Sequence, residues 1–416
     1  MQKIRDFIKI LGPGLLYAGA AVGVSHLVQS TRAGANYGFD LLWILLLANI
    51  IKYPFFEFGA RYAALTGNSL IDGYKKVGKW AVVLFTLLTV STMFTIQAAV
   101  TIVTAGLVAN VFGWSLSPIV MSAIILLVTM LILGYGRYSL LDKMIKWVII
   151  ILSISTLIAV ISASIKGFHP DPQFAVDFMW TKDLDILFLI AFVGWMPAPI
   201  DVSVWQSLWG VAKAKELGKK PNLKQSLLDF NIGYIGTIFL ALGFLVLGAL
   251  VMYGSGEKLS PKGTVFAGQL IDLYTNSIGS WAFVVIAVAA IATMFSTTLT
   301  CLDAYPRVMK PLTHFYFPKM NTEKSKLDWL SWFWILVVVS GALSILFFFR
   351  SGMRFMVDLA TTLSFMTAPL LAFLNYKVLT DKHLKQKLPA WLNYYAIAGI
   401  LFLSAFAIYF LYYKFL

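Results

Sequence analysis

Long apolar stretches alternate along this chain with short polar segments. A helix needs about 20 apolar residues to cross the hydrocarbon core of a bilayer, and the apolar stretches approach or exceed that length. No segment is long enough or polar enough to form a separate soluble domain. The pattern predicts an all-α integral membrane protein with eleven transmembrane helices, at residues 10–36, 40–65, 80–110, 117–135, 143–165, 185–209, 229–253, 279–303, 329–349, 353–379 and 391–415.

Two of these predicted helices are discontinuous. Helix 1 is interrupted at residues 23–26 (Gly-Val-Ser-His), and helix 6 at residues 196–201 (Met-Pro-Ala-Pro-Ile-Asp). Interruptions at corresponding places in the two halves of a chain point to the substrate site of an inverted-repeat transporter. We therefore expect one transporter domain over residues 1–416, with five-helix repeats at 1–166 and 180–380 and an extra helix at 391–415.

Composition agrees with a membrane protein and excludes several other classes. Hydrophobic residues make up 59% of the 416 residues and charged residues only 12%, outside the range of ordinary soluble domains. The formal net charge is +14, but the Lys and Arg residues form short clusters between apolar stretches, so we expect no nucleic-acid partner. The single cysteine, Cys301, excludes an internal disulfide and a cysteine-based metal cluster.

The basic residues also predict an orientation. They are concentrated in the N-terminal segment and in the loops that follow the even-numbered helices, and cytoplasmic loops carry an excess of Lys and Arg. We expect the N-terminus to be cytoplasmic and the C-terminus external, in a protein of the bacterial inner (plasma) membrane.

Several short motifs resemble a known family. They are residues 12–14 (Gly-Pro-Gly), residues 33–38 (Ala-Gly-Ala-Asn-Tyr-Gly), Arg61 and residues 66–67 (Thr-Gly). These match without a gap the opening of the Nramp (natural resistance-associated macrophage protein) metal-ion transporters, and residues 196–197 (Met-Pro) resemble the start of that family's sixth-helix motif. The resemblance implies a LeuT-like fold and a divalent cation such as Mn, Fe, Zn or Mg as the transported ion.

The resemblance also assigns binding residues, with departures from the family pattern. The family's first-helix motif, whose aspartate and asparagine bind the metal, falls on residues 23–26, so Gly23 stands where the carboxylate would be. Met196 takes the place of the metal-binding methionine and Val193 that of a carbonyl ligand. Ala198 replaces the family histidine, and Gln97 stands where the family's proton route carries an acidic residue.

The side chains near the two interruptions allow three interpretations. His26, Met196 and Asp201 offer nitrogen, sulfur and oxygen donors, which suit a transition-metal ion. Alternatively, the metal site is lost, and Asp201 pairs with the ammonium or polar group of an organic solute between Trp195 and Trp205. In the third interpretation His26 and Asp201 bond each other or nearby backbone and only hold the two interruptions together.

Other polar residues inside the predicted helices are candidates for coupling or gating. Glu57 and Arg61 are four residues apart, which predicts an ion pair, with a gate or proton relay as the alternative. Lys52 lies near mid-helix and could replace a bound cation. Thr297 and Thr298 stand where sodium-using LeuT-like folds place hydroxyl ligands, although hydroxyls in such helices also bond their own backbone.

The motifs of common enzyme classes are missing from the sequence. We find no nucleophile elbow, phosphate-binding loop or paired-histidine zinc motif, and no repeated filter segment or ring of charges typical of a channel. We expect a secondary active transporter, not an enzyme, without a resident cofactor. It would carry a divalent metal cation by alternating access between helices 1 and 6, coupled to protons or sodium. A small organic solute, such as an amino acid or amine, is the alternative cargo.

Overall fold

A computed structural model describes residues 12–135, 138–319, 329–349 and 352–415, and these residues form an all-α protein, as predicted. The bounds of the helices follow in chain order. They are α1 (Pro13–Ala21), a π-helical segment (Val24–Ser30), α2 (Thr31–Tyr37), α3 (Leu42–Thr66), α4 (Leu70–Val77), α5 (Lys79–Phe112), α6 (Pro118–Tyr135), α7 (Tyr138–Lys166), α8 (Asp183–Trp195), α9 (Asp201–Leu217), α10 (Leu223–Met252), α11 (Gly263–Ile278), a 3₁₀ turn (Ser280–Ala282), α12 (Phe283–Tyr316), α13 (Trp329–Phe349), α14 (Met353–Thr380) and α15 (Ala390–Phe415).

The lengths of these helices agree with a membrane-spanning protein. Among the described residues, eight helices are long and apolar enough to cross a membrane. The two discontinuous helices consist of shorter pieces, and α6 is a short apolar helix, so the predicted number of eleven stays a prediction. The division into two repeats also stays a prediction. The basic residues at the N-terminus, which support the predicted orientation, lie outside the described residues.

Both predicted interruptions are present, but the first is shorter than expected. α1 ends at Ala21 and the π-helical segment begins at Val24, so only Val22 and Gly23 are outside a helix. The carbonyl of Gly23 accepts hydrogen bonds from the amides of His26 and Leu27 at 3.1 and 2.9 Å, and these bonds restart the helix. In the second interruption α8 ends at Trp195 and α9 begins at Asp201, which leaves residues 196–200 non-helical.

The two short halves of helix 1 are fixed against α10. The Asp229 carboxylate of α10 accepts hydrogen bonds from the backbone amides of Gly12 (3.1 Å) and Gly14 (2.7 Å), at the positive end of the α1 dipole. A Cβ on Gly34 of α2 would lie 1.9 Å from the carbonyl oxygen of Leu245 in α10. Glycine at such a position lets two membrane helices approach backbone to backbone.

The halves of helix 6 are held in the same way by other helices. A Cβ on Gly194 of α8 would lie 2.1 Å from the carbonyl oxygen of Thr361 in α14. A Cβ on Gly59 of α3 would lie 2.1 Å from the carbonyl oxygen of Ser203 in α9. Each half of the two discontinuous helices therefore has its own close backbone neighbour, which positions the interruptions.

Two further helices, α4 and α11, were not expected from the apolar stretches. α4 is eight residues long and begins with a capping box, in which the Ser69 hydroxyl and the Asp72 carboxylate bond each other's backbone amides. α11 has 16 residues and packs against α5 and α7. Both are amphipathic and too short to cross a bilayer, so a search for long apolar stretches does not find them.

Candidate functional site

The interruption in helix 1 leaves main-chain oxygens without amide partners. The amide of Gly23 turns back to the carbonyl of Ala21 (2.9 Å), and within the described chain no backbone amide donates to the carbonyls of Gly19, Ala20 or Val22. The Thr297 hydroxyl of α12 lies 3.2 Å from the Gly19 oxygen and 3.3 Å from the Val22 oxygen. These oxygens are available to a hydroxyl or a cation at this point.

The interruption in helix 6 also leaves main-chain oxygens without amide partners, but for a different reason. Pro197 and Pro199 have no amide hydrogen, so they cannot donate to carbonyls of the preceding turn. No backbone amide of the described chain donates to the carbonyls of Met196, Pro197 or Ala198. The amide of Ser203 then bonds to the carbonyl of Ile200 at 3.0 Å as α9 begins.

A small cavity of about 20 Å³ lies between the two interruptions. Ala20 and Ser25 line it from the helix 1 side, and Ala198 from the helix 6 side. No charged side chain is among its lining residues, whose polar side chains are those of Ser25, Thr297, Cys301, Trp195 and Trp205. The cavity has room for a small ion, which main-chain oxygens, hydroxyls, a thiol and two indole rings would surround.

His26 does not face this cavity. It is fully buried, its Nδ1 lies 2.7 Å from the Ser25 hydroxyl, and its Nε2 lies 3.0 Å from the carbonyl oxygen of Thr237 in α10. Both ring nitrogens are therefore engaged, and the bond between His26 and Asp201 considered from the sequence is not present. A metal ion would reach the His26 ring only after one of these contacts breaks.

Asp201 is the first residue of α9 and is 2% exposed. Its Oδ2 atom has no hydrogen-bond partner. It does not line the cavity, although its neighbour Val202 does. An unpaired buried carboxylate oxygen costs free energy, so Asp201 is a strong candidate for contact with a passing cation.

The two helix 6 positions assigned by resemblance have different surroundings. Met196 is fully buried and belongs to an apolar cluster that includes Phe365. The Val193 carbonyl oxygen lies 2.6 Å from Lys52 Nζ, and the Gly194 carbonyl oxygen lies 2.9 Å from the same atom. The Val193 oxygen is therefore already occupied in this structure, and binding of cargo there requires Lys52 to move.

Gly23 and Thr297 are in close contact. A Cβ on Gly23 would lie 2.5 Å from Thr297 Oγ1, so a larger residue does not fit without movement. The Thr297 hydroxyl also lies 3.1 Å from the carbonyl oxygen of Thr293 in its own helix. Thr297 thus contacts both its own backbone and the interruption in helix 1.

The other candidate residues, Glu57, Gln97 and Thr298, do not line the cavity. The expected ion pair between Glu57 and Arg61 is present, with 2.6 Å between Arg61 Nη2 and Glu57 Oε1, and it is buried. Gln97 Nε2 lies 3.4 Å from the Thr298 carbonyl oxygen, and the hydroxyls of Thr298 and Thr104 are 2.7 Å apart. Gln97 and Thr298 therefore connect α5 to α12.

Two features of the site were not found from the sequence. Cys301 lines the cavity, and its position four residues after Thr297 on the same helix face was the available signal. The second feature is the ion pair between Arg32 and Asp358 of α14, at 2.6 Å. Nothing in the local sequence connects two residues so far apart in the chain.

Comparison with known sequences agrees with the resemblance of the motifs. The family model described as Nramp, natural resistance-associated macrophage protein-like, matches residues 14–413. An uncharacterized protein of Pasteurella multocida is 37% identical over 409 residues, which is 96% of this chain and 91% of that protein. The divalent metal cation transporter MntH of Listeria monocytogenes is 24% identical over 429 residues, 98% of this chain and 90% of that protein.

Solved structures show the fold. A crystal structure of a mutant Eremococcus coleocola manganese transporter matches with a TM-score of 0.67 at 13% identity, covering 97% of this chain and 86% of that one. The structure of MhsT in complex with L-phenylalanine matches with a TM-score of 0.65 at 16% identity, covering 95% of this chain and 98% of that one. Since the family model spans nearly the whole sequence, this chain belongs to the Nramp family, which is a family of membrane transporters and not of enzymes.

Proposed function

We propose that this chain is a secondary active transporter that carries a divalent metal cation by alternating access, with the cargo held between the interruptions of helices 1 and 6. The observation that carries the proposal is the small cavity, of about 20 Å³, between two interruptions whose carbonyl oxygens lack amide partners. Interrupted membrane helices with such oxygens are the usual sites of ion binding in transporters. The MntH relative in Listeria and the manganese transporter of Eremococcus support a metal as cargo.

The donors around the cavity suit a partly dehydrated metal ion. Ser25 and Thr297 supply hydroxyl oxygens, Cys301 supplies sulfur, and the main chains of both interruptions supply carbonyl oxygens. Such mixed oxygen and sulfur donors suit Mn, Fe or Zn, and oxygen alone suits Mg. The positive charge of the ion requires a negative partner, and we assign that role to the buried carboxylate of Asp201. Gly23, Met196 and His26 remain candidates for the same site.

Coupling and orientation belong to the same proposal. Thr297, beside the Gly19 and Val22 oxygens, offers a position for sodium, with Thr298 as a second hydroxyl candidate. Glu57 and Gln97 are the candidates along a proton route. We place the N-terminus in the cytoplasm and the C-terminus outside, in a bacterial inner membrane, because of the distribution of basic residues.

Calorimetry of the purified protein with Mn, Zn and Mg salts tests the metal assignment. We expect saturable heat with at least one of these ions, and saturable uptake with counterflow of the same ion in proteoliposomes. Counterflow separates a carrier from a channel, because only a carrier exchanges internal for external cargo through one alternating site. If none of the metals binds and none is transported, the metal assignment is wrong.

One observation favours a second cargo class. No group of three or more His, Cys, Asp or Glu side chains in the described residues is arranged to hold a metal ion, and Trp195 and Trp205 line the cavity. An amino acid or amine would find main-chain oxygens for its ammonium group and indole rings for its apolar part. Uptake of labelled amino acids or amines in the same proteoliposomes, in the absence of metal binding, would establish this alternative.

A further inference from the structure

Lys52 is the only lysine among the described residues that is fully buried near the middle of a membrane-spanning helix. Its Nζ atom lies 2.6 Å from the Val193 carbonyl oxygen and 2.9 Å from the Gly194 carbonyl oxygen. Within the described chain Lys52 forms no ion pair with a carboxylate. A basic side chain at this depth costs several kcal/mol unless it has a partner or a function, so the two main-chain oxygens are its partners.

These oxygens form a site that favours positive charge. They belong to the last turn of α8, which ends at Trp195, and the carboxyl end of a helix carries a partial negative charge. The Gly194 oxygen receives no backbone amide in the described chain, and the Val193 oxygen receives only the Met196 amide, at 3.2 Å. Without Lys52, both oxygens would be left in the membrane interior with poorly satisfied hydrogen-bonding capacity.

Besides the Val193 and Gly194 oxygens, a third oxygen lies on the same face of α3 as Lys52. Asn49 is three residues before Lys52, is fully buried, and its side-chain Oδ1 has no hydrogen-bond partner. Its Nδ2 is engaged with the carbonyl oxygen of Leu45 at 2.8 Å, so Oδ1 can turn only within a limited range. Carbonyl and amide oxygens are the ligands that hard cations prefer.

We propose that Lys52 is a tethered cation: its side-chain ammonium fills a monovalent-cation site formed by the main-chain oxygens of Val193 and Gly194 at the end of α8. In this position it replaces a sodium, potassium or small ammonium ion that the same oxygens would otherwise take from solution. The side chain thereby holds the carboxyl end of α8 to α3 and keeps those oxygens away from cargo. The cargo then uses the remaining oxygens of the interruption, whichever cargo it is.

The test is to remove the tethered charge and ask whether an ion from solution replaces it. Lys52→Met keeps the length of the side chain but removes its charge and its hydrogen-bond donors. Thermal unfolding of the purified protein is measured in NaCl, KCl and choline chloride at equal ionic strength. We expect Lys52→Met to unfold at a lower temperature in choline and to regain several degrees, saturably, in sodium or potassium, since a ligand that binds only the folded state stabilises it. The wild type should differ much less among the three salts.

Two control variants separate charge from packing. Lys52→Arg keeps a positive charge and donors, so its unfolding temperature should not respond selectively to sodium or potassium. Lys166→Met removes an exposed lysine that also donates to a carbonyl oxygen, that of Asn276, and should show no selective response either. A folded Lys52→Met protein with the same unfolding temperature in all three salts would overturn the proposal.

If Lys52→Met does not fold, Lys52→Ala expressed and purified with ethylammonium chloride provides the test. Recovery of folded protein with ethylammonium, but not with choline, supports a cation site, and equal failure in both overturns it. No metal ion enters these measurements. A failure of metal binding in the wild type would therefore contradict the proposal about the cargo, but it would not affect the proposal about Lys52.

Discussion

At the scale of single residues, the buried polar side chains near the interruptions mostly bind main-chain oxygens. His26 contacts the Thr237 carbonyl oxygen, Lys52 those of Val193 and Gly194, and Thr297 that of Gly19. The Gly194 and Gly19 oxygens receive no backbone amide in the described chain, so these two contacts satisfy oxygens in a medium of low dielectric constant. Asp201 differs from these residues, since its Oδ2 has no partner.

The unpaired Oδ2 atom of Asp201 leads to a prediction about transport. Asp201→Ala should reduce metal uptake to the level of empty liposomes, because it removes the buried negative charge nearest the helix 6 interruption. Asp201→Asn keeps the size and removes only the charge, so it should be similarly inactive. Initial rates of uptake in proteoliposomes at equal protein amounts measure both variants.

The matched control is Asp272→Ala, which removes an exposed carboxylate of α11. Its uptake should equal that of the wild type. If Asp201→Ala, incorporated at the same level, transports as fast as the wild type, Asp201 has no role in the mechanism.

The contact between Gly23 and Thr297 gives a second prediction. Gly23→Ala places a Cβ 2.5 Å from Thr297 Oγ1 and should cost about 1–3 kcal/mol of stability, the usual range for an overpacked site. Adding Thr297→Ala removes the hydroxyl and the methyl group that clash. The double variant should therefore unfold at a higher temperature than Gly23→Ala alone, and additive effects of the two substitutions would contradict the contact.

The sequence identified most polar residues near the site but not their partners. His26 was a candidate ligand because it falls in the first-helix motif, yet the helix restarts at Val24 and its ring is bonded to Ser25 and Thr237. Periodicity predicts that a helix forms, but the rotation of a helix about its axis depends on packing against distant segments. The partners of Lys52 could not be predicted for the same reason.

At the scale of helices, α2 and α14 are joined by an ion pair beyond the helix 1 interruption. Arg32 Nη1 lies 2.6 Å from Asp358 Oδ1 and 2.9 Å from the Gln29 side-chain oxygen, and its guanidinium stacks over the Phe188 ring at 4.9 Å. Arg32 is 4% exposed, so its charge depends on these partners. Because the pair joins α2 to α14, we expect these helices to separate beyond the helix 1 interruption when it is broken.

Breaking this ion pair should open the cavity to solvent. Arg32→Gln or Asp358→Asn should increase the rate at which a small, membrane-impermeant thiol reagent labels Cys301, which is buried and lines the cavity. Since Cys301 is the single cysteine of the chain, the wild-type protein needs no cysteine removal for this assay. Labelling at fixed pH and reagent concentration gives the rates.

A half-exposed ion pair provides the comparison. Lys75→Gln breaks the pair between Lys75 and Asp72, both of which belong to α4. This substitution should not change the labelling of Cys301. Exchanging the charges by combining Arg32→Asp with Asp358→Arg should slow labelling again relative to either single variant. Unchanged labelling in Arg32→Gln and Asp358→Asn would show that the pair does not control access.

The helices themselves were largely predictable, because nine of the eleven long apolar stretches each correspond to one helix and the other two to the discontinuous helices. The predicted interruption at 196–201 corresponds to the non-helical residues 196–200, since two prolines stop the helix whatever surrounds them. The interruption in helix 1 was predicted as longer than it is, because a glycine permits a break but does not determine where hydrogen bonding resumes. α4 and α11 lacked a long apolar stretch and were missed.

At the scale of the whole molecule, the fold alone does not decide the cargo. Structures with similar TM-scores to this chain are described as a manganese transporter and as a protein in complex with L-phenylalanine. The choice therefore rests on the side chains and oxygens between the interruptions, which differ among proteins that share this architecture. Calorimetry with metal salts is the measurement that separates the two classes of cargo.

The attachment of helix 1 to α10 limits how this molecule can move. α10 is one continuous helix of 30 residues that touches α1, the π-helical segment and α2, and its Asp229 carboxylate holds the start of α1. Because α10 contacts both halves of helix 1 across the first interruption, we expect the two halves to move together. In the proposed alternating access we therefore expect α8 and α9 to tilt against helix 1 and α10, with residues 196–200 as the hinge.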